Sequence, residues 1–422
     1  MITRVGLAQR LPRRNFGAWS VVERIQDIAV VDDRRALQRR EHRTRLTLVV
    51  HIDVPRGRGS ARLDLDSFDA SPDDVIDQAA SLARAAIGPA WFSAPPAAPA
   101  KVAISDDSLF QRELDAAARN TLAALRRPPG VTLSARLSIL RETVTVTASS
   151  GFQLTWPATS LRADLSVSSA SSHLAIVRTA RRADDLELDL AIADAATDLA
   201  LLASASPPAP GPVALWLRPD ALLPDDDLGL WAVLAQQADP ATLRHSLSRF
   251  RPGSELAAGA AQLAEPLSVV SDGALDHAIR SSPLSDDAVA VRRFPLVDRG
   301  MAIGVGLSSR DAALANTDPN GGVRNLVVSP GTWPAAPSPT VRTLEVRRLH
   351  ALTLSPTGDA TLDIALALDH APDRAPRPVT TGTIHLDALA SLALARRSPQ
   401  LLRRGAYLGP ASILIEEALL LA

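Results

Sequence analysis

Two stretches near the start of the chain, 19–31 and 45–53, alternate apolar and polar residues, and that period of two predicts half-buried strands. The period then changes. Ser71 offers an N-cap oxygen, Pro72 a pre-set first φ, and Asp73 and Asp74 negative charge near the positive end of a helix dipole, so VIDQAASLARAA is expected to be helical. A second helix is expected over 108–126, where Leu109, Leu114, Ala118, Leu122 and Leu125 recur at helical spacing. Alternation returns at 131–147 and 153–167, and Ser149, Ser150 and Gly151 between them mark a hairpin. The segment 178–203 reads either as a strand followed by a helix or as one broken helix.

Proline-rich stretches at 94–99, 207–212, 334–339 and 372–378 interrupt these patterns, because a fixed φ and a missing N–H oppose regular structure. The PPAPGP run at 207–212 is the clearest boundary, and it divides the chain into domains at 1–206 and 213–422. Beyond it the sequence predicts a strand at 213–218, helices near 227–238 and 240–248, and many short strands separated by Gly, Pro and Asp. A helix is expected over 385–397 and a closing strand over 412–421. Both parts mix helix with largely antiparallel sheet, and the fold class is therefore α+β.

Composition narrows the function more by exclusion than by suggestion. With 422 residues, 46% of them hydrophobic, the chain exceeds the length at which single cores usually split. A net charge of −1 and 3% aromatic residues leave out the electrostatic and stacking footprint of a nucleic-acid binder. Arg10, Arg13 and Arg14 arrive before any apolar segment and oppose a secretory signal, and no apolar run approaches the roughly 18 to 20 residues of a membrane-spanning helix. A cytoplasmic address without membrane contact is the expectation.

The absence of cysteine removes disulfides, thiolate nucleophiles and every cysteine-containing metal site. The eight histidines are His42, His51, His173, His245, His277, His350, His370 and His385, and no two fall within eight residues of each other. HExxH, HExxxH and HxH are thus all missing, and no catalytic or metal-ligating residue can be assigned. Asp276-His277 and Asp369-His370 are adjacent pairs whose side chains diverge on either kind of element, which suits surface or capping roles. The only lysine, Lys101, has no phosphate-cradling glycines before it, GxSxG does not occur, and Gly304-Val305-Gly306 reads as a strand end. A Ser-His-Asp triad stays open, since its members need not be close in sequence.

Several motifs nevertheless occur in a telling order. His51-Ile52-Asp53 runs into Arg58-Gly59-Ser60-Ala61 and then the helix from Ser71; VTVTASSG spans 144–151; Ser285-Asp286-Asp287 precedes RFPLVDRG at 293–300. Asn320-Gly321-Gly322, Arg324-Asn325 and Ser329-Pro330-Gly331 come next, then Thr357-Gly358-Asp359, Pro378-Val379 and Gly409-Pro410-Ala411-Ser412-Ile413. This succession, covering most of 45–422, resembles the TldD/PmbA family. The resemblance implies a heterodimeric zinc peptidase that trims or degrades small unfolded peptides, in which one subunit carries HExxxH and a later cysteine. The corresponding region here, 222–250, has only His245, so the chain is similar to the partner subunit that lacks the motif. The family's N-terminal helix is not evident before Trp19.

The resemblance further implies a chain with no cofactor of its own, a zinc-bearing TldD-like partner, and an unfolded peptide as substrate. Arg324, Asn325, Arg58 and Gly59 are the candidate contacts to peptide or partner. Alternatives from other classes are a stand-alone peptide-binding or scaffolding homodimer and a metal-independent hydrolase.

Overall fold

The computed structural model describes residues 2–32, 38–65, 69–92, 98–338 and 340–421. Part of the proline-rich stretch at 94–99, and Pro339, lie outside the described residues. The first half contains strands β1 (Ala18–Asp32), β2 (Gln38–Val54), β3 (Gly57–Leu65), β4 (Ile87–Gly88), β5 (Thr132–Ala148), β6 (Gln153–Ser168) and β7 (His173–Ala180). They form one antiparallel sheet in the order β4-β3-β2-β1-β5-β6-β7. Helices α1 (Arg4–Arg10), α2 (Pro72–Ala85), α3 (Asp107–Phe110), α4 (Leu114–Ala123) and α5 (Leu188–Leu202) accompany it.

Strand parity decides which face the helices cover. Val21, Ala29 and Val31 of β1 lie with Leu133, Leu137 and Ile139 of β5 among cores that contain α1, α2, α4 and α5 residues. Val22, Val144, Val146, Trp156 and Ala158 differ from these in parity, so they point the other way and pack on Leu284 and Ala290 of the second half. The Ser71 hydroxyl caps α2 by accepting from the Asp74 N–H at 3.1 Å, as its sequence predicts. The β5–β6 hairpin turns at Gly151, whose φ of +80° explains the glycine. For 178–203, the strand-then-helix reading is the one realised.

Three expectations need correction. The helix expected over 108–126 breaks between α3 and α4, where Glu113 starts a new helix from extended backbone. Residues 385–397 divide into the end of a strand, a short helix and a two-residue strand, because Leu386 and Ile384 alternate into the core before helical packing begins. A helix does precede Trp19: Thr3 caps α1, and Leu7 and Leu11 are fully buried. Its shortness and its arginines hide its apolar stripe.

The second half supplies β8 (Gly211–Leu217), β9 (Val269–Asp272), β10 (Arg293–Asp298), β11 (Met301–Ala302), β12 (Asn325–Val328), β13 (Thr343–Leu354) and β14 (Asp359–His370). These are followed by β15 (Arg377–Val379), β16 (Thr383–Asp387), β17 (Arg396–Arg397), β18 (Leu401–Arg404), β19 (Tyr407–Pro410) and β20 (Ile413–Leu421). Its helices are short: α6 (Pro219–Leu222), α7 (Ala232–Gln237), α8 (Pro240–Arg244), α9 (Ser309–Leu314) and α10 (Ala388–Leu394). One sheet runs β11-β10-β9-β12-β19-β18; the other runs β13-β8-β20-β16-β14-β15, with β13 also pairing β14 and β17 pairing β20. A shared core holds Trp231, Phe250, Tyr407 and the inward faces of both sheets. Most pairings are antiparallel, so the class is α+β as expected.

A charge cluster binds the halves together. Asp220 of α6 receives Arg178 Nη2 of β7 at 2.8 Å, Arg348 Nη1 of β13 at 2.5 Å, and Arg404 of β18. Asp198 of α5 receives Arg347 Nε at 2.6 Å and Arg348 Nε at 2.7 Å. Burial alone would raise the Asp220 pKa, but the guanidiniums of Arg348, Arg178 and Arg404 outweigh it and hold the carboxyl well below the usual range. Asp226 behaves oppositely. Burial pushes it up to about 6 against the pull of Arg178, the Thr179 N–H and hydroxyl, and Arg404.

These shifts set a pH dependence with two opposing parts. A carboxyl raised to about 6 on folding contributes stability that is full below about 3.8 and is lost as pH rises through 6, roughly 3 kcal/mol in all. Burial and the nearby Arg58 depress His51 to about 4, which contributes stability present above 6.5 and lost as pH falls toward 4, by a similar roughly 3 kcal/mol. The two partly cancel between pH 4 and 6.5. Replacing Asp226 with asparagine, which keeps an acceptor for the Thr179 N–H, is therefore expected to expose a decline in stability toward acid that urea unfolding across this window would detect. An unchanged pH profile would contradict the assignment.

Candidate functional site

Where the helix-free face of the first sheet meets the loops of the second half, it leaves a cleft of about 590 Å³. Its floor follows from parity. Arg24 shares a face with Val22 on β1, Glu142 with Val144 on β5, and Arg62 points to the same side of β3, so a polar stripe borders the apolar cluster. The opposite wall comes from loops around 279–287 and 306–324.

Asp286 links the two walls. Arg24 Nη2 donates to its Oδ1 at 3.0 Å, Arg62 Nη1 donates to its Oδ2 at 2.9 Å, and the Ser20 hydroxyl donates to its carbonyl at 3.3 Å. Asp287 accepts from the Ser285 hydroxyl and from the Ser309 N–H at 3.1 Å. Arg181 donates to the carbonyls of Thr159 at 2.7 Å, Ile279 at 2.7 Å and Ser281 at 3.3 Å, fastening the first sheet to the far wall. Arg280 forks onto Asp227.

The four sequence candidates separate here. Arg324 lines the cleft, with its backbone N–H on Ser271 Oγ at 3.0 Å and its Nε donating to the Gly321 carbonyl at 2.9 Å. Burial lowers its pKa; Asp286 and Asp287 oppose that, and Arg280 and Arg24 add to it. Asn325 lies directly behind it, fully buried. Its Oδ1 accepts from the Arg280 N–H at 3.0 Å, and its Nδ2 donates to the Asp272 carbonyl at 2.6 Å and to Ser281 Oγ at 2.8 Å, so it shapes the wall without facing the cavity.

Arg58 and Gly59 are absent from the cleft lining. Arg58 is 4% exposed, donates to the Trp91 carbonyl at 3.0 Å, meets Asp53 Oδ1 at 2.9 Å and stacks over the Trp91 ring. Gly59 faces the other side, against α2. Its glycine identity serves packing, since a Cβ there would lie 2.0 Å from the Ala83 carbonyl oxygen.

Residues 244–354 match the family model of the PmbA/TldA metallopeptidase C-terminal domain. Similar folds occur in two proteins described as modulators of DNA gyrase. The one from Bacteroides thetaiotaomicron has 14% identity and a TM-score of 0.78 over 98% of this chain and 97% of that one. The one from Thermotoga maritima has 14% identity and a TM-score of 0.77 over 99% and 100%. TldE from Thermococcus kodakarensis has 15% identity and a TM-score of 0.72 over the whole of both chains. Residues 244–354 thus resemble that family's C-terminal domain, and the chain as a whole shares the fold of these proteins. At these identities the structural likeness speaks for the fold, and the sequence match covers the segment from α8 to β13. No curated protein matches the chain in sequence.

A TldD/PmbA-type zinc site does not fit the side chains present. His245 caps the short α8 and is exposed, and among the described residues no three His, Asp or Glu side chains gather as a metal-binding group. Elsewhere the Asp-His pairs hold structure. Asp276 accepts from the Ala103 N–H at 2.8 Å and the His277 N–H donates to the Ala103 carbonyl at 2.6 Å. Asp369 takes both ends of Arg342 at 2.9 and 3.0 Å, and His370 meets Glu345 at 2.9 Å. Among the described residues no helix is long and apolar enough to cross a membrane.

Sequence reasoning missed Arg24, Arg62, Arg181, Arg280 and Asp286. The signal for Arg24 and Arg62 was their parity, which puts each on the helix-free face of its strand. Asp286 stood in the Ser285-Asp286-Asp287 motif, but nothing local pointed to its partner Arg24, 262 positions away.

Proposed function

We propose that this chain is the non-catalytic subunit of a heterodimeric TldD/TldE-type zinc peptidase, in which it helps to hold small unfolded peptides for a partner that carries the metal. The observation that carries this reading is the donor set: a family described as metallopeptidase, in a chain with no cysteine and an isolated His245 in the region where the resemblance places the metal helix. Fold likeness to TldE along the full chain favours the same role. A serine hydrolase at the cleft has no support, because its described lining includes serines but neither histidine nor lysine to activate them. The proposed location is the cytoplasm, and the proposed division between domains is the 207–212 break.

Co-expression with a relative that carries HExxxH tests the proposal. A stable one-to-one complex that cleaves unstructured peptides, and stops when a chelator is added, is the expected result. Failure of the two chains to co-purify would contradict it.

A further inference from the structure

We propose that Arg324 is a carboxylate-binding residue that fixes an anionic group of an extended peptide in the cleft between the two halves. The inference rests on the peptide-holding role above and adds the chemistry the cleft recognises.

The cleft arginines are unequal. Arg24 and Arg62 share Asp286, Arg181 is spent on backbone carbonyls, and Arg280 is held by Asp227. Among the described residues, Arg324 makes no ion pair, and its only side-chain hydrogen bond runs from Nε to Gly321. Neither terminal nitrogen is sealed from solvent without a partner, so both remain open to the cavity. The stem is fixed as well. A Cβ at Gly273 would come within 2.7 Å of Val291 and 3.3 Å of Arg324 Cγ, so the glycine provides the room in which the side chain lies.

A guanidinium held at Nε presents its remaining N–H groups as a planar fork, which matches the two oxygens of a carboxylate. Phosphate shares that geometry. Asp286 and Asp287, whose charges act on Arg324, penalise a dianion more than a monoanion and so favour the carboxylate. Ile104, Trp156 and Leu284 line the same cavity, whose volume is within the about 300–1,000 Å³ usual for ligand pockets, and give an extended chain apolar contact.

The test uses the full chain and calorimetric titration with an acetylated decapeptide of Ser, Gln and Leu in three forms. One has a free C-terminal carboxylate, one a C-terminal amide, and one an internal Glu with a C-terminal amide. At least one carboxylate-bearing form should bind roughly tenfold or more tightly than the uncharged amide. Which of the two does so identifies the C-terminus or an acidic side chain as the source. Arg324→Gln should erase the preference while leaving the affinity for the uncharged amide, and Arg324→Lys should restore part of it. Equal binding of all forms by the unsubstituted chain, or a preference that survives Arg324→Gln, would overturn the inference and leave the peptide-holding role standing. No binding of any form would remove both.

Discussion

Replacing Asp220 with alanine is expected to cost about 3–5 kcal/mol, because it removes the carboxylate that three buried guanidiniums share and leaves Arg348 only Asp198, and Arg178 and Arg404 only the more distant Asp226. Arg178, Arg348 and Arg404 are 4%, 7% and 9% exposed, so water cannot replace the lost partner without opening the junction. They also come from β7, β13 and β18, which makes Asp220 a point where the first sheet and both sheets of the second half converge. The loss should appear as a fall in melting temperature of about 3–6 °C for a chain of this length. A control is available in Asp318→Ala, which breaks the exposed Arg292 pair and should cost about 0.5 kcal/mol or less. If the two variants melted alike, the buried cluster would not be what holds the halves together.

Gly59→Ala should be the next most damaging change. The added Cβ would meet the Ala83 carbonyl oxygen at 2.0 Å and its carbon at 2.8 Å, and these are helix backbone atoms that cannot rotate away. Strand and helix must separate, at a cost of about 1–3 kcal/mol or more. The damage should concentrate on α2, which supplies Val75, Ile76, Ala79, Ala80 and Ala83 to the core beneath β1–β3. Hydrogen exchange would show it as faster exchange of the α2 amides with the β5–β7 amides little changed, whereas full protection of α2 would contradict the packing role.

Both variants show which information was local in the sequence. Strand parity, the Ser71 cap and the Gly151 turn act over a few residues, and the elements they define appear where the pattern places them. Gly59 stood out as a glycine with a purpose, although what it approaches is Ala83, a helix residue more than twenty positions later. Arg58 illustrates the limit from the other side: its charge suggested contact with a ligand, and burial against Trp91 turned it into a structural residue. The α1 helix and the split of 385–397 escaped notice because short elements hold too few apolar positions to display a period. For the cleft, Arg324 was legible from its Gly-rich approach, while the partners that leave it unoccupied, Asp286 with Arg24 and Arg62, meet only through tertiary structure.

The proposed division of labour depends on a chain that brings no metal chemistry of its own. Zinc analysis of the purified protein, run beside a peptide-cleavage assay on the same sample, reads this out. Trace zinc and no cleavage are expected; stoichiometric, tightly held zinc accompanied by intrinsic cleavage would contradict it.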